Sequence, residues 1–123
     1  MLEEMIIITN NPMVEQALTG REGCTVRYAQ TSYRDILCLA RDEVHQGRRL
    51  LTHPLSGSVK PGETPYKSIA VSLQKGALDL DSLSLIEQSI QTCDKFPIRD
   101  KSKVPALQED FQTIDLTLIS SIF

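Results

Sequence analysis

The sequence predicts an α/β protein. The expected architecture is a three-layer sandwich with a small, mostly parallel sheet of about four strands and an antiparallel edge strand, in the order β-α-β-α-β-β-α-α. Three observations predict it. Short apolar or alternating runs are separated by stretches whose apolar residues recur at helical spacing, the pattern of strands covered by helices. Helix-starting and helix-stopping residues fall at the joints between these runs. One consecutive pair of runs has no helix between them, so the second of the pair is expected antiparallel at an edge.

Each element can be justified in order. Residues 5–9, Met-Ile-Ile-Ile-Thr, form a β-branched run suited to a strand buried on both faces. Asn10, Asn11 and Pro12 stop it; Asn11 suits a helix N-cap and Pro12 the first helical position. A short helix runs to about Leu18, and Gly20 ends it. Residues 24–28 alternate like a second strand. Ser32 with Asp35 resembles a helix start, and Ile36, Leu37, Ala40 and Val44 give that helix its apolar face, with Gly47 as its stop. Residues 48–52 read as a third strand and residues 67–73 as a fourth, with a stretch rich in Pro, Gly and Ser between them. Asp81 is the expected cap of a third helix, with Leu83, Ile86, Ile90 and Cys93 inward and Pro97 ending it. Residues 98–104 read as an exposed connection. A last helix starts near Pro105 with Phe111, Ile114, Leu118 and Ile122 as its stripe. Right-handed crossovers favour placing the first strand between the second and third. The alternative is an α+β layout of the same elements.

Composition narrows the function classes. A chain of 123 residues fits one domain spanning 1–123, and one of this size buries roughly two-thirds of its unfolded surface, so it needs no disulfide or metal to fold. Net charge is -3, which argues against nucleic acid and against an anionic membrane surface as partners. No window approaches the length of an apolar membrane span, and no signal peptide is evident. Cys24, Cys38 and Cys93 are odd in number and widely spaced, without a redox pair or a zinc cluster. Cys38 and Cys93 fall on apolar stripes as buried thiols, and three free thiols fit a cytoplasmic setting. No metal or other cofactor is expected: Asp79 and Asp81 lack further ligands at calcium-loop spacing and read as capping residues.

The chemistry-bearing segment is residues 53–62, His-Pro-Leu-Ser-Gly-Ser-Val-Lys-Pro-Gly. In open α/β sheets, ligands bind beyond the carboxyl ends of strands, where strand order reverses. That rule brings Asn10 and Asn11, after the first strand, together with the segment after the third. Gly57 permits close backbone approach, and the backbone around Ser56, Gly57 and Ser58 can form an anion nest. Lys60 and Lys67 add positive charge, and His53 can move a proton near neutral pH. The expected ligand-binding set is therefore Asn10, Asn11, His53, Ser56, Gly57, Ser58, Lys60 and Lys67. The segment is neither a Walker loop nor a nucleophile elbow. A rigid connection is the plain alternative for it, and a backbone hydrogen bond the plain alternative for His53. His45 suits the end of its helix.

Residues 6–12 (Ile-Ile-Ile-Thr-Asn-Asn-Pro), 50–61 (Leu-Leu-Thr-His-Pro-Leu-Ser-Gly-Ser-Val-Lys-Pro) and 63–68 (Glu-Thr-Pro-Tyr-Lys-Ser) resemble the GrdX family, as do residues 79–83 and 109–119. The resemblance covers nearly the whole chain. It implies a small cytoplasmic companion of glycine, sarcosine and betaine reductase systems in anaerobic bacteria, with a reductase-system protein as a partner. It supplies no reaction and no catalytic residues. The chain has no selenocysteine and no paired redox cysteines of its own.

Three readings follow. One is an accessory protein that binds a small anion, a carboxylate or phosphate compound, between Asn10, Asn11 and the 53–62 segment. The second is a non-catalytic interaction module, dimeric through its apolar C-terminal helix. The third is a small enzyme with His53 as acid/base and Ser56 or Ser58 assisting. The sequence does not decide whether the chain is an enzyme.

Overall fold

The computed structural model describes residues 3–55, 62–96 and 103–123. Along the chain run β1 (Met5–Thr9), α1 (Pro12–Leu18), β2 (Cys24–Tyr28), α2 (Tyr33–His45), β3 (Ser68–Ser72), α3 (Leu80–Asp94) and α4 (Pro105–Ser120). β1 lies at the centre of a three-stranded sheet of order β2-β1-β3. It pairs parallel with β2, Met5 beside Cys24 and Thr9 beside Tyr28. It pairs antiparallel with β3, Met5 beside Ser72 and Thr9 beside Ser68.

Alternating side chains on β1 feed two cores. Ile6 and Ile8 join Ile36, Leu37, Ala40 and Val44 of α2 and Ile86 and Ile90 of α3. Met5 and Ile7 join Val14 and Leu18 of α1 and Ile119 of α4. The three layers are thus α2 and α3, the sheet, and α1 and α4. All five residues of β1 are buried, as a strand covered on both faces requires.

Two expectations need correction. The sheet has three strands rather than about four, and it is mixed rather than mostly parallel. Residues 48–52 do not form a strand; they touch β3 through one antiparallel bridge, Leu50 to Val71. Two backbone bonds flank that bridge, Leu51 N to Ala70 O and Ser72 N to Arg49 O, both 2.9 Å. The next donors outward are taken by hydroxyls instead. Arg49 N–H donates to Ser72 Oγ at 2.9 Å, and Ala70 N–H to Thr52 Oγ1 at 3.1 Å. Side chains compete with the ladder and close it after one rung. It follows that the neighbour of β1 on this side is β3, and the strand reversal expected between β1 and residues 48–52 does not exist.

Smaller shifts follow local chemistry. Asn11 caps α1, its side chain accepting from Met13 N, and Ser32 caps α2 by accepting from Asp35 N. The cap of α3 is Asp79 rather than Asp81; it accepts from Ser82 N. The buried line of α4 is Phe111, Asp115 and Ile119, while Ile114 is exposed. Cys38 and Cys93 are partly buried against the core rather than fully inside it.

Candidate functional site

β1 ends in polar residues that remain buried: Thr9, Asn10 and Asn11. Burial of such groups requires hydrogen bonds, and each is fully engaged. Asn10 Nδ2 donates to Thr31 O (2.9 Å) and Pro65 O (2.8 Å), while its Oδ1 accepts from Lys67 N (2.8 Å). Asn11 Nδ2 donates to Gln112 O (2.9 Å) and Asp115 Oδ2 (3.0 Å), and its Oδ1 accepts from Met13 N (3.0 Å). Both donors of each amide are therefore occupied by the protein itself. These side chains hold the end of β1 to the turn before α2, to the segment before β3 and to α4.

A hydroxyl relay runs beneath them. Asn11 N–H donates to Thr9 Oγ1 at 3.0 Å. Ser68 Oγ–H donates to Asp115 Oδ2 at 2.7 Å, so the Thr9 hydroxyl, 2.7 Å away, donates to Ser68. Asp115 is thus a buried carboxylate on α4 whose Oδ2 receives two donors.

Lys67 precedes β3 and is only 4% exposed. Burial pushes its amine below the ordinary lysine value, and the nearby Asp115 carboxylate opposes that shift. Tyr33, the first residue of α2, is 8% exposed. Burial pushes its phenol well above the ordinary value, with Cys93 and Asp115 adding to the shift. Among the described residues, no hydrogen bond engages the Tyr33 hydroxyl. Tyr66 is held by α4, its hydroxyl donating to Gln108 Oε1 (2.7 Å) and accepting from Gln112 Nε2 (2.9 Å).

Two cavities meet at this point. A crevice of about 20 Å³ is bounded by Tyr33, Tyr66, Lys67, Phe111 and Asp115, among others. That is room for one water. A wider, mostly apolar cavity of about 310 Å³ lies between the start of α2 and the end of α3, against Arg34, Pro65, Cys93 and Phe96. Tyr33 and Thr64 line both. Arg34 stands at the wider cavity paired with Asp94, Nε to Oδ1 at 2.6 Å, and this guanidinium holds the Asp94 carboxyl below its usual range. Burial pushes the Cys93 thiol up.

Of the sequence-derived set, Asn10, Asn11 and Lys67 come together here. His53 is exposed elsewhere: its Nδ1 accepts from Leu55 N at 3.0 Å, and it borders a separate cavity with Asp79, Asp81 and Ser82. Ser56, Gly57, Ser58 and Lys60 lie outside the described residues. Sequence reasoning missed Tyr33 and Asp115. Asp115 lies at i+4 spacing between Phe111 and Ile119, but the apolar stripe expected from the sequence ran through Ile114 and Leu118, so this acid read as a solvated one. Among the described residues, no group of three His, Cys, Asp or Glu gathers as a metal would need, and no helix is long and apolar enough to cross a membrane. At the C-terminus, Leu116, Ile119, Ile122 and Phe123 pack against the α1 face within the same chain, and Arg21 lies 4.0 Å from the Phe123 ring.

A family model described as GrdX-like protein matches residues 6–123. No curated protein and no solved structure matches the chain.

Proposed function

The chain belongs to the GrdX-like protein family, and from that premise we propose that it is a cytoplasmic accessory protein of glycine, sarcosine or betaine reductase metabolism that binds a small anionic ligand at the carboxyl end of β1. One observation carries the site: Lys67, a buried cation, borders the crevice where Tyr33 offers a hydroxyl with no other bond among the described residues. The ligand's acidic group faces Lys67 and Tyr33, and its remainder lies in the wider cavity. Asn10 and Asn11 position the site rather than touch the ligand, because their amide donors are already occupied. Ser56, Gly57, Ser58 and Lys60 are proposed as outer contacts to the ligand, and His53, which borders a separate cavity, is not among them. A reductase-system protein is the partner it serves.

Thermal unfolding with phosphate, acetyl phosphate, acetate and small amino acids tests the reading. At least one anion is expected to raise the midpoint of the wild type, and to raise it less in Tyr33→Phe and in the Ser56→Ala/Lys60→Ala double variant. No stabilisation of the wild type, or equal stabilisation of all three proteins, would overturn it.

A further inference from the structure

We propose that the outer edge of β2 is the surface through which two copies of this chain pair, β2 running antiparallel to β2 about a two-fold axis at Val26. This goes beyond the binding reading above and does not depend on it. The two edges of the sheet are built differently. The outer side of β3 is covered by residues 49–52, through the Leu50–Val71 bridge and the bonds beside it. β2 forms the other edge, and no described strand or bridge pairs with its outer side. Its residues, Cys-Thr-Val-Arg-Tyr, include no proline or lysine, and its register with β1 runs without a bulge, so the usual devices that blunt an edge are missing. The ladder fixes which backbone groups face outward. Met5 N–H donates to Gly23 O at 2.8 Å, and Ala29 N–H to Thr9 O at 2.9 Å. With the parallel register between these bonds, Thr25 and Arg27 turn their backbone groups to β1, and Cys24, Val26 and Tyr28 turn theirs outward. Cys24 N–H is already given to Arg21 O at 3.1 Å. A second β2 turned about Val26 meets what remains. Val26 N–H and C=O exchange bonds with their counterparts, and Cys24 O of each copy accepts from Tyr28 N–H of the other.

The charges beside this edge favour a second copy over a foreign strand. A groove of about 600 Å³ runs between β2 and α2, bounded by Arg27, Leu39, Asp42 and Gln46 among others. Asp42 is exposed, and no described residue pairs with its carboxylate. Arg27 is half exposed and gives only Nη1 to Glu43. The groove thus offers one group of each sign, the self-complementarity that an isologous interface requires. Thr25 and Arg27 lie beside Ile6 and Ile8, on the α2 side of the sheet. With the axis at Val26, Arg27 of one copy stands opposite Thr25 of the other, on the side where that copy's groove carries Asp42. Leu39, 38% exposed, adds an apolar contact. The apolar C-terminal residues, by contrast, are already packed against α1 within the chain.

Sedimentation equilibrium of the full chain over a concentration series, paired with amide hydrogen exchange, tests this. The mass is expected to double as concentration rises. The Val26 and Tyr28 amides should gain protection in step with it, while the Thr25 and Arg27 amides, bonded to β1, stay protected throughout. Val26→Pro removes an outward donor without touching the β1 ladder, and Asp42→Arg sets like charges against each other. Each is expected to weaken the dimer about tenfold or more. Asp42→Arg changes only an exposed helix position, so the test stands even if the proline variant fails to fold. A chain that stays monomeric overturns the proposal, as does a dimer whose Val26 and Tyr28 amides exchange at the monomer's rate or whose affinity Asp42→Arg leaves unchanged. Protection of those two amides that appears only when a different protein is added also overturns it, and assigns the edge to a foreign strand.

Discussion

Glu43 shows how one residue holds several segments. Its Oε1 receives Arg27 of β2 and its Oε2 receives Arg48 Nε at 2.7 Å. Arg48 also donates to the carbonyls of Ser72 and Leu73 at the end of β3. Burial pushes the Glu43 carboxyl up, but hydrogen bonds and charge from the two guanidiniums outweigh this and hold it below its ordinary 4.5. A lowered carboxyl stabilises the fold above the unfolded value, and that contribution disappears as pH falls through the folded one. Glu43→Ala leaves Arg48, whose side chain is 10% exposed, as a buried unpaired cation, at a cost of about 3 kcal/mol near neutral pH. Arg27→Ala costs under about 1 kcal/mol, since that side chain is half exposed. Urea unfolding across pH checks both, and the gap between wild type and Glu43→Ala should narrow as pH falls below 4.5. The residue scale also marks the limit of the sequence reading of the site. Asn10, Asn11 and Lys67 were legible because turn-forming and charged residues stand out beside an apolar run. Tyr33 and Asp115 were not, because each lies within a helical pattern and acquires its role only when α2 and α4 meet at the end of β1.

Elements were legible wherever backbone chemistry was local. The caps of α1 and α2 and the stop at Gly47 follow from side chains within a few positions of the helix ends. The false third strand fails for a reason outside its own residues: Ser72, in β3, supplies one of the hydroxyls that close its ladder. Ser82 of α3 takes a further donor, Leu50 N, at 3.0 Å. At Gly47 the constraint is sharper. Its φ is 98°, and an added Cβ would collide with the Gly76 backbone. Gly47→Ala therefore costs at least about 2 kcal/mol through left-handed strain plus the clash. Gly76→Ala, whose Cβ would meet nothing, should stay within about 0.5 kcal/mol of wild type. Chemical denaturation of the two variants checks the contrast; equal losses would show that the approach of these two turns is not a constraint.

At the scale of the whole molecule, the two faces of the sheet are built differently. The α2–α3 face is closed by a continuous apolar cluster drawn from four elements. The α1–α4 face has a smaller cluster and depends on a polar clamp, Asn11 to Gln112 O and Asp115, to join its helices. α4 also lacks a side-chain cap. The layer order could be read from the strand and helix alternation, but this asymmetry could not, because Asp115 looks like a solvated acid until its neighbours are known. The clamp makes α1 and α4 one cooperative unit, so they should open together and before α2. Asn11→Ala removes the α1 cap and one donor to a buried carboxylate, together worth about 2 kcal/mol. Native-state hydrogen exchange on this variant should show protection falling by a similar amount in α1 and α4, with α2 amides less affected. Fraying of α1 alone, with α4 protected as in wild type, would mean that apolar packing of Phe111 and Ile119 holds α4 without the clamp. In that case the floor beneath Lys67 would be independent of Asn11.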